Sequence, residues 1–304
     1  MTHNGNTMML KGVSVTQANT LLDASYQVYR HIENSKTIVR TVGYALPAVL
    51  QGHVRTVVPT TSFLSAPMRR QTPRNHSGRA AAGLMKSVSG EPPTRLSNGY
   101  ADDVEYLTPP FLRWLYDIYT YTPVAMHRNA LGIAGYSEHY PSPADLAKFM
   151  LEYRFDGAGA SFTVELVNAG GFNPNQPNYE ANLSLQYAMA IAYPTPVIFY
   201  SIGDGPTGTE MGFTSWLEYL LKQPRIPQTI STTYSYYESS YSREHAIYEC
   251  HLFAQLALLG VTVLFASGDF GVGEGDCVTE NGSVQFTPEF PATCMCAFIC
   301  SKWK

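Results

Sequence analysis

Charge of either sign is scarce in this chain. Asp, Glu, Lys and Arg make up 14% of its 304 residues, where an ordinary globular domain carries about 25%. The small excess is acidic, a formal −4, so the basic field that a nucleic-acid partner requires is missing. No apolar run reaches the length needed to cross a bilayer. Neither a nucleic acid nor a membrane is therefore expected among the partners. The opening MTHNGNTMML lacks the basic, apolar, small-residue order of a secretory signal, so no signal peptide is read in this chain. Cysteine is absent before Cys250. The five that follow, Cys250, Cys277, Cys294, Cys296 and Cys300, form no CxxC pair and give no zinc signature. No GxSxG elbow occurs, which removes the usual α/β-hydrolase serine.

What the chain does have is apolar residues at 45%, with 24 glycines and 21 tyrosines. That is enough for a sizeable core, and it excludes a coiled coil, a collagen-like chain and a charge-rich disordered protein. Residues 1–64 read as a small α+β unit. GVSVTQANTLLDASYQVYRH predicts a strand, a helix with Ala18, Leu21 and Leu22 on one side, and a strand over Tyr26–His31. A strand over Thr37–Gly43, a short helix near Pro47–Gly52 and a β-rich HVRTVVPTTSF complete it. So few elements bury little alone, so the unit is expected to dock on something larger. Residues 65–106 read as a solvated linker: periodicity is lost, and between Ser65 and Gly90 stand Arg69, Arg70, Arg74, Arg79 and Lys86 with no acidic residue.

From Leu107 onward strands and helices alternate. The predicted strands are Ala130–Tyr136, Ser161–Leu166, Val197–Tyr200, Thr229–Tyr234 and Val261–Ala266. The helices between them are Ala144–Tyr153, Tyr179–Ala192, Ser215–Lys222 and Arg243–Leu259. Short apolar strands such as VIFY and VTVLFA suit a parallel sheet covered on both faces. The expected fold class is therefore α/β with a doubly wound parallel sheet. Ligands of such sheets bind beyond the carboxyl ends of the strands.

Three segments carry candidate chemistry. SGDFGVGEGDC follows the strand VTVLFA, and Gly268, Gly271, Gly273 and Gly275 leave Asp269 on a tight loop at that strand's carboxyl end. Asp269-Phe270-Gly271 matches the kinase DFG, but no HRD-type loop, β3 lysine or nucleotide loop accompanies it, so a kinase is rejected. In NYEANLSLQY, Asn178 is a candidate N-cap, Glu180 lies in the first helical turn, and Ser184, four residues on, shares its face. His245, Glu249 and His251 fit no zinc spacing and read as packed or solvated side chains. Cys277 and Cys294 are a candidate disulfide in an oxidising compartment, with unpaired thiols the alternative. Sequons occur at Asn75, Asn182 and Asn281, a weak pointer to secretion.

Taken together, the segments resemble the sedolisins, serine-carboxyl peptidases of subtilisin-like fold, and most closely the fungal tripeptidyl-peptidase type. ALGIAGYSEHYPSPADLAKFM resembles that family's first strand and helix, EANLSLQY its EANLDVQY helix, and SGDFGVGEGDC its SGDxGVGxxxC loop. LTPPFLRWLYDIYTYTPVAM resembles the start of its mature domain. VYRHIENSKTIVRTVGYALPAVLQGHVRTVVPTTSF resembles the last part of its activation prodomain. The resemblance implies part of an α+β prodomain over 1–64 and the N-terminal part of a peptidase domain over 107–304, with the sheet incomplete.

The resemblance also implies a chemistry. A serine nucleophile is activated by a glutamate, an aspartate orients that glutamate, and a second aspartate, protonated in acid, helps form the oxyanion hole. Burial and mutual repulsion spread the pKa values of such carboxyls apart. By motif position Glu180 is the base and Asp269 the oxyanion-hole acid. Ser184 stands at the family's aspartate position, where a hydroxyl bonds to a carboxyl but brings no charge. TTYSYYE stands for the substrate-lining SYGxxE, and Ser235, in place of its glycine, is expected to obstruct a peptide backbone. The partners implied are a peptide or protein substrate and the chain's own prodomain, and the location is extracellular, secretory or vacuolar. The family's calcium site falls outside the matched segments, so no ligands are assigned here. The SGTSxxxP segment with the nucleophile is likewise not in these residues, so the chain as written is expected not to cleave peptides. Residues 295–304 read as aberrant. Cys294–Cys296 is encodable as TGTATGTGC, which holds a GTATGT intron donor, and read-through is the expected origin. The alternative function is a non-catalytic relative that binds peptides or a peptidase.

Overall fold

A computed structural model of the chain describes residues 2–4, 7–30, 37–58, 60–61, 63, 107–124, 128–204, 212–266, 268, 282–295 and 298–300. Its N-terminal part opens with an antiparallel hairpin, β1 (Thr2–Asn4) and β2 (Thr7–Met9). Helix α1 (Val15–Leu22) is not preceded by the predicted strand. Ser14 caps it instead: its hydroxyl accepts from the Gln17 amide at 3.2 Å, and the Gln17 side chain accepts from the Ser14 amide at 2.9 Å. This reciprocal pair holds Ser14 as a cap. Strands β3 (Gln27–Arg30) and β4 (Thr37–Arg40) pair antiparallel. The predicted short helix is a 3-10 turn at Ala48–Leu50, and the described residues of HVRTVVPTTSF form no strand.

Of the predicted apolar side of α1, Leu22 is buried while Leu21 is 40% exposed. Leu22 is the only buried apolar side chain among the described residues of 8–63, and Val28, Val42 and Val49 lie open. The unit has no second layer to bury them against. The predicted linker lies outside the described residues.

The larger part begins with α2 (Pro109–Leu115), a helix not predicted, capped by the Thr108 hydroxyl. Then follow β5 (Leu131–Gly135), α3 (Pro143–Tyr153), β6 (Thr163–Val167), α4 (Tyr179–Ala192), β7 (Val197–Ile202), α5 (Gly212–Leu220) and β8 (Thr229–Thr232). After them come β9 (Tyr236–Tyr237), α6 (Arg243–Leu258), β10 (Thr262–Ala266), β11 (Glu289–Phe290) and β12 (Phe298–Cys300). Six strands form one sheet in the order β12-β10-β8-β5-β7-β6, and each neighbouring pair is parallel. The predicted alternation is thus observed with small shifts at element ends. Residues 298–300, within the stretch read as aberrant, add to the edge of the sheet, with Leu264 opposite Phe298 and Ala266 opposite Cys300.

Both faces of the sheet are covered, so successive strand residues enter different cores. Ile133 and Phe199 pack with Leu146, Met150, Leu185 and Met189 under α3 and α4. Ala134, Tyr200 and Ile230 pack with Trp216, Leu217, Phe253 and Phe265 under α5 and α6. Each fully buried large apolar side chain contributes roughly 1.5–3 kcal/mol. The turn after β11 enters the second core through Phe290, Ala292 and Cys294. That placement decides the disulfide: Cys294 pairs with Cys250 on α6, Cα atoms 5.3 Å apart, and not with Cys277 as expected. Cys277 lies outside the described residues.

Candidate functional site

The strand order turns at β5: the chain goes first to β6 and β7 on one side, then to β8 and β10 on the other. Crevices of such sheets open beyond the carboxyl ends of the strands at that point. The loop after β5 is tight, with Ser137 and Glu138 at φ 57° and 58°. It carries His139, whose Nδ1 lies 2.8 Å from the Tyr234 hydroxyl, both residues buried.

Helix α4 is anchored to the same loop. The Asn178 side chain caps it, accepting from the Glu180 amide at 2.9 Å, while the Asn178 amide donates to the Tyr140 carbonyl at 2.8 Å. Asn182 accepts from the Ser142 amide at 2.8 Å and donates to Asp145 Oδ2 at 3.0 Å. Both ends of that amide are therefore engaged between α3 and α4.

These anchors bring Glu180 to the tip of β8. The hydroxyl of Thr233, the residue after that strand, donates to Glu180 Oε1 at 2.8 Å. Ser184 Oγ lies 3.4 Å from the same Thr233 Oγ1. Glu180, Ser184 and Thr233 are all half-buried. Sequence reasoning missed Thr233, which it placed inside the predicted strand Thr229–Tyr234; the observed strand ends one residue before it. A half-buried carboxylate with a hydroxyl donor on one oxygen can still exchange a proton on the other.

Asp269 lies outside the described residues. Its predecessor Gly268 is described, at φ +84°, and a side chain there would collide with the Glu289 carboxylate. Strand β10 runs beside β8 with Phe265 opposite Thr232, so the chain leaves β10 next to Thr233. Ser235 is buried at 4% exposure, and its hydroxyl donates to Glu289 Oε2. The Ser235 side chain is thus held within the protein by a carboxylate.

A second polar cluster lies under α5 and α6. His245 Nε2 is 3.3 Å from Glu249 Oε1, and Thr214 donates to the same oxygen at 2.5 Å. His245 and Glu249 are buried while His251 is exposed, so the first two pack and the third is solvated. Burial, and next the Glu249 carboxylate, push the phenols of Tyr136 and Tyr241 well above their usual range. Among the described residues no three His, Cys, Asp or Glu side chains are grouped to hold a metal ion, so calcium enters no step below. No described helix is long and apolar enough to cross a membrane.

A family model described as the pro-kumamolisin activation domain matches residues 1–63. The chain is 31% identical to a probable tripeptidyl-peptidase SED3 of Trichophyton verrucosum, over 93% of this chain and 48% of that protein. It is 29% identical to tripeptidyl-peptidase sed4 of Aspergillus fumigatus, over 92% and 48% respectively. Pseudomonas sedolisin, a serine-carboxyl proteinase solved with pseudo-iodotyrostatin, is similar at 17% identity and a TM-score of 0.47, over 63% of this chain and 52% of that one. The chain belongs to the sedolisin–tripeptidyl-peptidase family, with an activation-domain segment ahead of a parallel-sheet core. It spans about half the length of the curated relatives it matches.

Proposed function

We propose that the protein acts as a sedolisin-type serine peptidase working in acid, with Glu180 as the base that takes the proton from a serine nucleophile. Asp269 is the acid of the oxyanion hole, and Ser184 stands where the family has its orienting aspartate. The substrate is a peptide, and the prodomain segment is an internal partner of the same chain. The observation that carries this reading is the bond from Thr233 to Glu180 Oε1 at 2.8 Å, which fixes a half-buried carboxyl at the tip of β8.

The roles follow from elementary chemistry. A carboxylate in acid retains enough basicity to accept a hydroxyl proton, which an imidazole, already protonated there, does not. The Thr233 hydroxyl donates to Oε1 and restricts the rotation of Glu180. Among the described residues Ser184 reaches that network through Thr233, at 3.4 Å, and so orients without adding charge. This is also the observation that favours the second reading, a relative that binds peptides without cleaving them.

Hydrolysis of a tripeptidyl aminomethylcoumarin by the full-length protein at acid pH separates the two. Cleavage that falls about 100-fold or more in Glu180→Gln, the weight of a general base, is the expected result. Binding of the same peptide without turnover would replace this reading by the second.

A further inference from the structure

The loss of the family's glycine at Ser235 coincides with a feature far along the chain. Ser235 sits between β8 and β9, and its hydroxyl donates to Glu289 Oε2. Glu289 opens β11, which pairs antiparallel with β9, Glu289 opposite Tyr237 and Phe290 opposite Tyr236. The Glu238 amide continues that ribbon by donating to the Pro288 carbonyl at 2.9 Å. The same carboxylate lies against Gly268, the position where a Cβ would collide with it. One side chain therefore touches both the segment that resembles the substrate-lining strand and the loop leaving β10.

We infer that Glu289 is a positioning residue for the crevice. It holds the Ser235 side chain inward, so that a position the family fills with glycine stays clear for a peptide backbone, and it sets residues 234–238 against the loop at Gly268. The bond is charge-assisted and half-buried, which places it among the stronger side-chain hydrogen bonds. Gly268 has the complementary role, since only a residue without Cβ leaves space for the carboxylate at this φ. Glu289 acts through Ser235, which makes it a positioning residue rather than a catalytic one. This inference rests on the proposed peptide crevice, and its test has an arm that does not.

The first arm is binding of a dansylated hexa-alanine peptide to the full chain. Glu289→Ala is expected to weaken it about tenfold or more, the equivalent of losing one hydrogen bond to a charged group. Glu289→Gln, whose amide oxygen still accepts from Ser235, is expected to restore most of it. Ser235→Gly combined with Glu289→Ala is also expected to restore binding, because no side chain is then left to hold. A purely structural role would make that double variant worse than either single one, and this result overturns the inference. The second arm is amide hydrogen exchange of residues 236–238 in the absence of peptide. Exchange about tenfold faster in Glu289→Ala, with the amides of β5 and β7 unchanged, is expected of a local opening. Unchanged exchange overturns the inference. If the parent chain binds no peptide, the crevice reading fails on the first arm, and the second still decides whether Glu289 positions this segment.

Discussion

Glu180 and Glu249 both lie on helices and both accept a threonine hydroxyl, from Thr233 at 2.8 Å and from Thr214 at 2.5 Å. Their surroundings differ in every other respect. Glu180 is half-buried at the carboxyl end of the sheet, beside Thr233, the residue after β8, on a helix anchored to the loop after β5. Glu249 is 0% exposed, closed in by α5 and α6 with His245 at 3.3 Å. A buried carboxylate has to be paired in place, and removal of its partner leaves a charge with no solvent. A half-buried one exchanges protons with whatever enters the crevice. The same hydrogen bond thus serves structure at Glu249 and, on the proposed reading, chemistry at Glu180, and solvent access sets the difference.

The comparison breaks if Glu249 proves dispensable. Glu249→Ala is expected to cost about 3–5 kcal/mol, because His245 and Thr214 lose their common acceptor. Urea unfolding measures this, and a loss no larger than that of an exposed residue would contradict it. Thr214→Val and His245→Leu made together with Glu249→Leu are expected to recover part of the stability, since the three bonded polar groups are then removed together. A smaller effect belongs to the next residue of α6, Cys250. Cys294→Ser opens a disulfide that spans 44 residues, and a loss of about 2–4 kcal/mol is expected in the same assay.

The smallest effect sharpens the electrostatic side. Tyr136 and Tyr241 have phenols raised by burial and by Glu249, so the folded chain keeps protons that the unfolded chain releases. The stability tied to these phenols is complete below about pH 10, the ordinary tyrosine value, and declines as pH rises beyond it. Tyr241→Phe is expected to make the alkaline decline in thermal midpoint shallower. An unchanged slope would mean that this phenol is not coupled to folding.

The doubly wound sheet was legible because five apolar strands and four helices alternate with turn residues between them, and parallel strands buried on both faces have little else to be. The N-terminal unit was less so. Gly12–Val15 carries strand-forming residues, but the Ser14 and Gln17 capping pair dominates there. At the candidate site, Glu180 and Ser184 were legible from helical spacing and from the family motif. Thr233 was not, because a hydroxyl after a strand has no spacing signature, and its partner lies 53 residues away. Glu289 and the Cys250–Cys294 pair were hidden for the same reason: both depend on the turn after β11 folding back on α6 and β9. Ser235 shows the same limit: a rule about glycine reads that position locally, while its hydroxyl is engaged by a carboxylate 54 residues away.

The central claim is that Glu180, unlike Glu249, is the carboxyl that serves chemistry. Acid hydrolysis of a tripeptidyl substrate and thermal unfolding, measured side by side for Glu180→Gln and Glu249→Gln in the full-length protein, test it most directly. The account predicts that Glu180→Gln abolishes most turnover with little change in unfolding temperature, while Glu249→Gln lowers the unfolding temperature with turnover retained at temperatures where the protein stays folded. Turnover that survives in Glu180→Gln, or that falls only in step with unfolding, would contradict it.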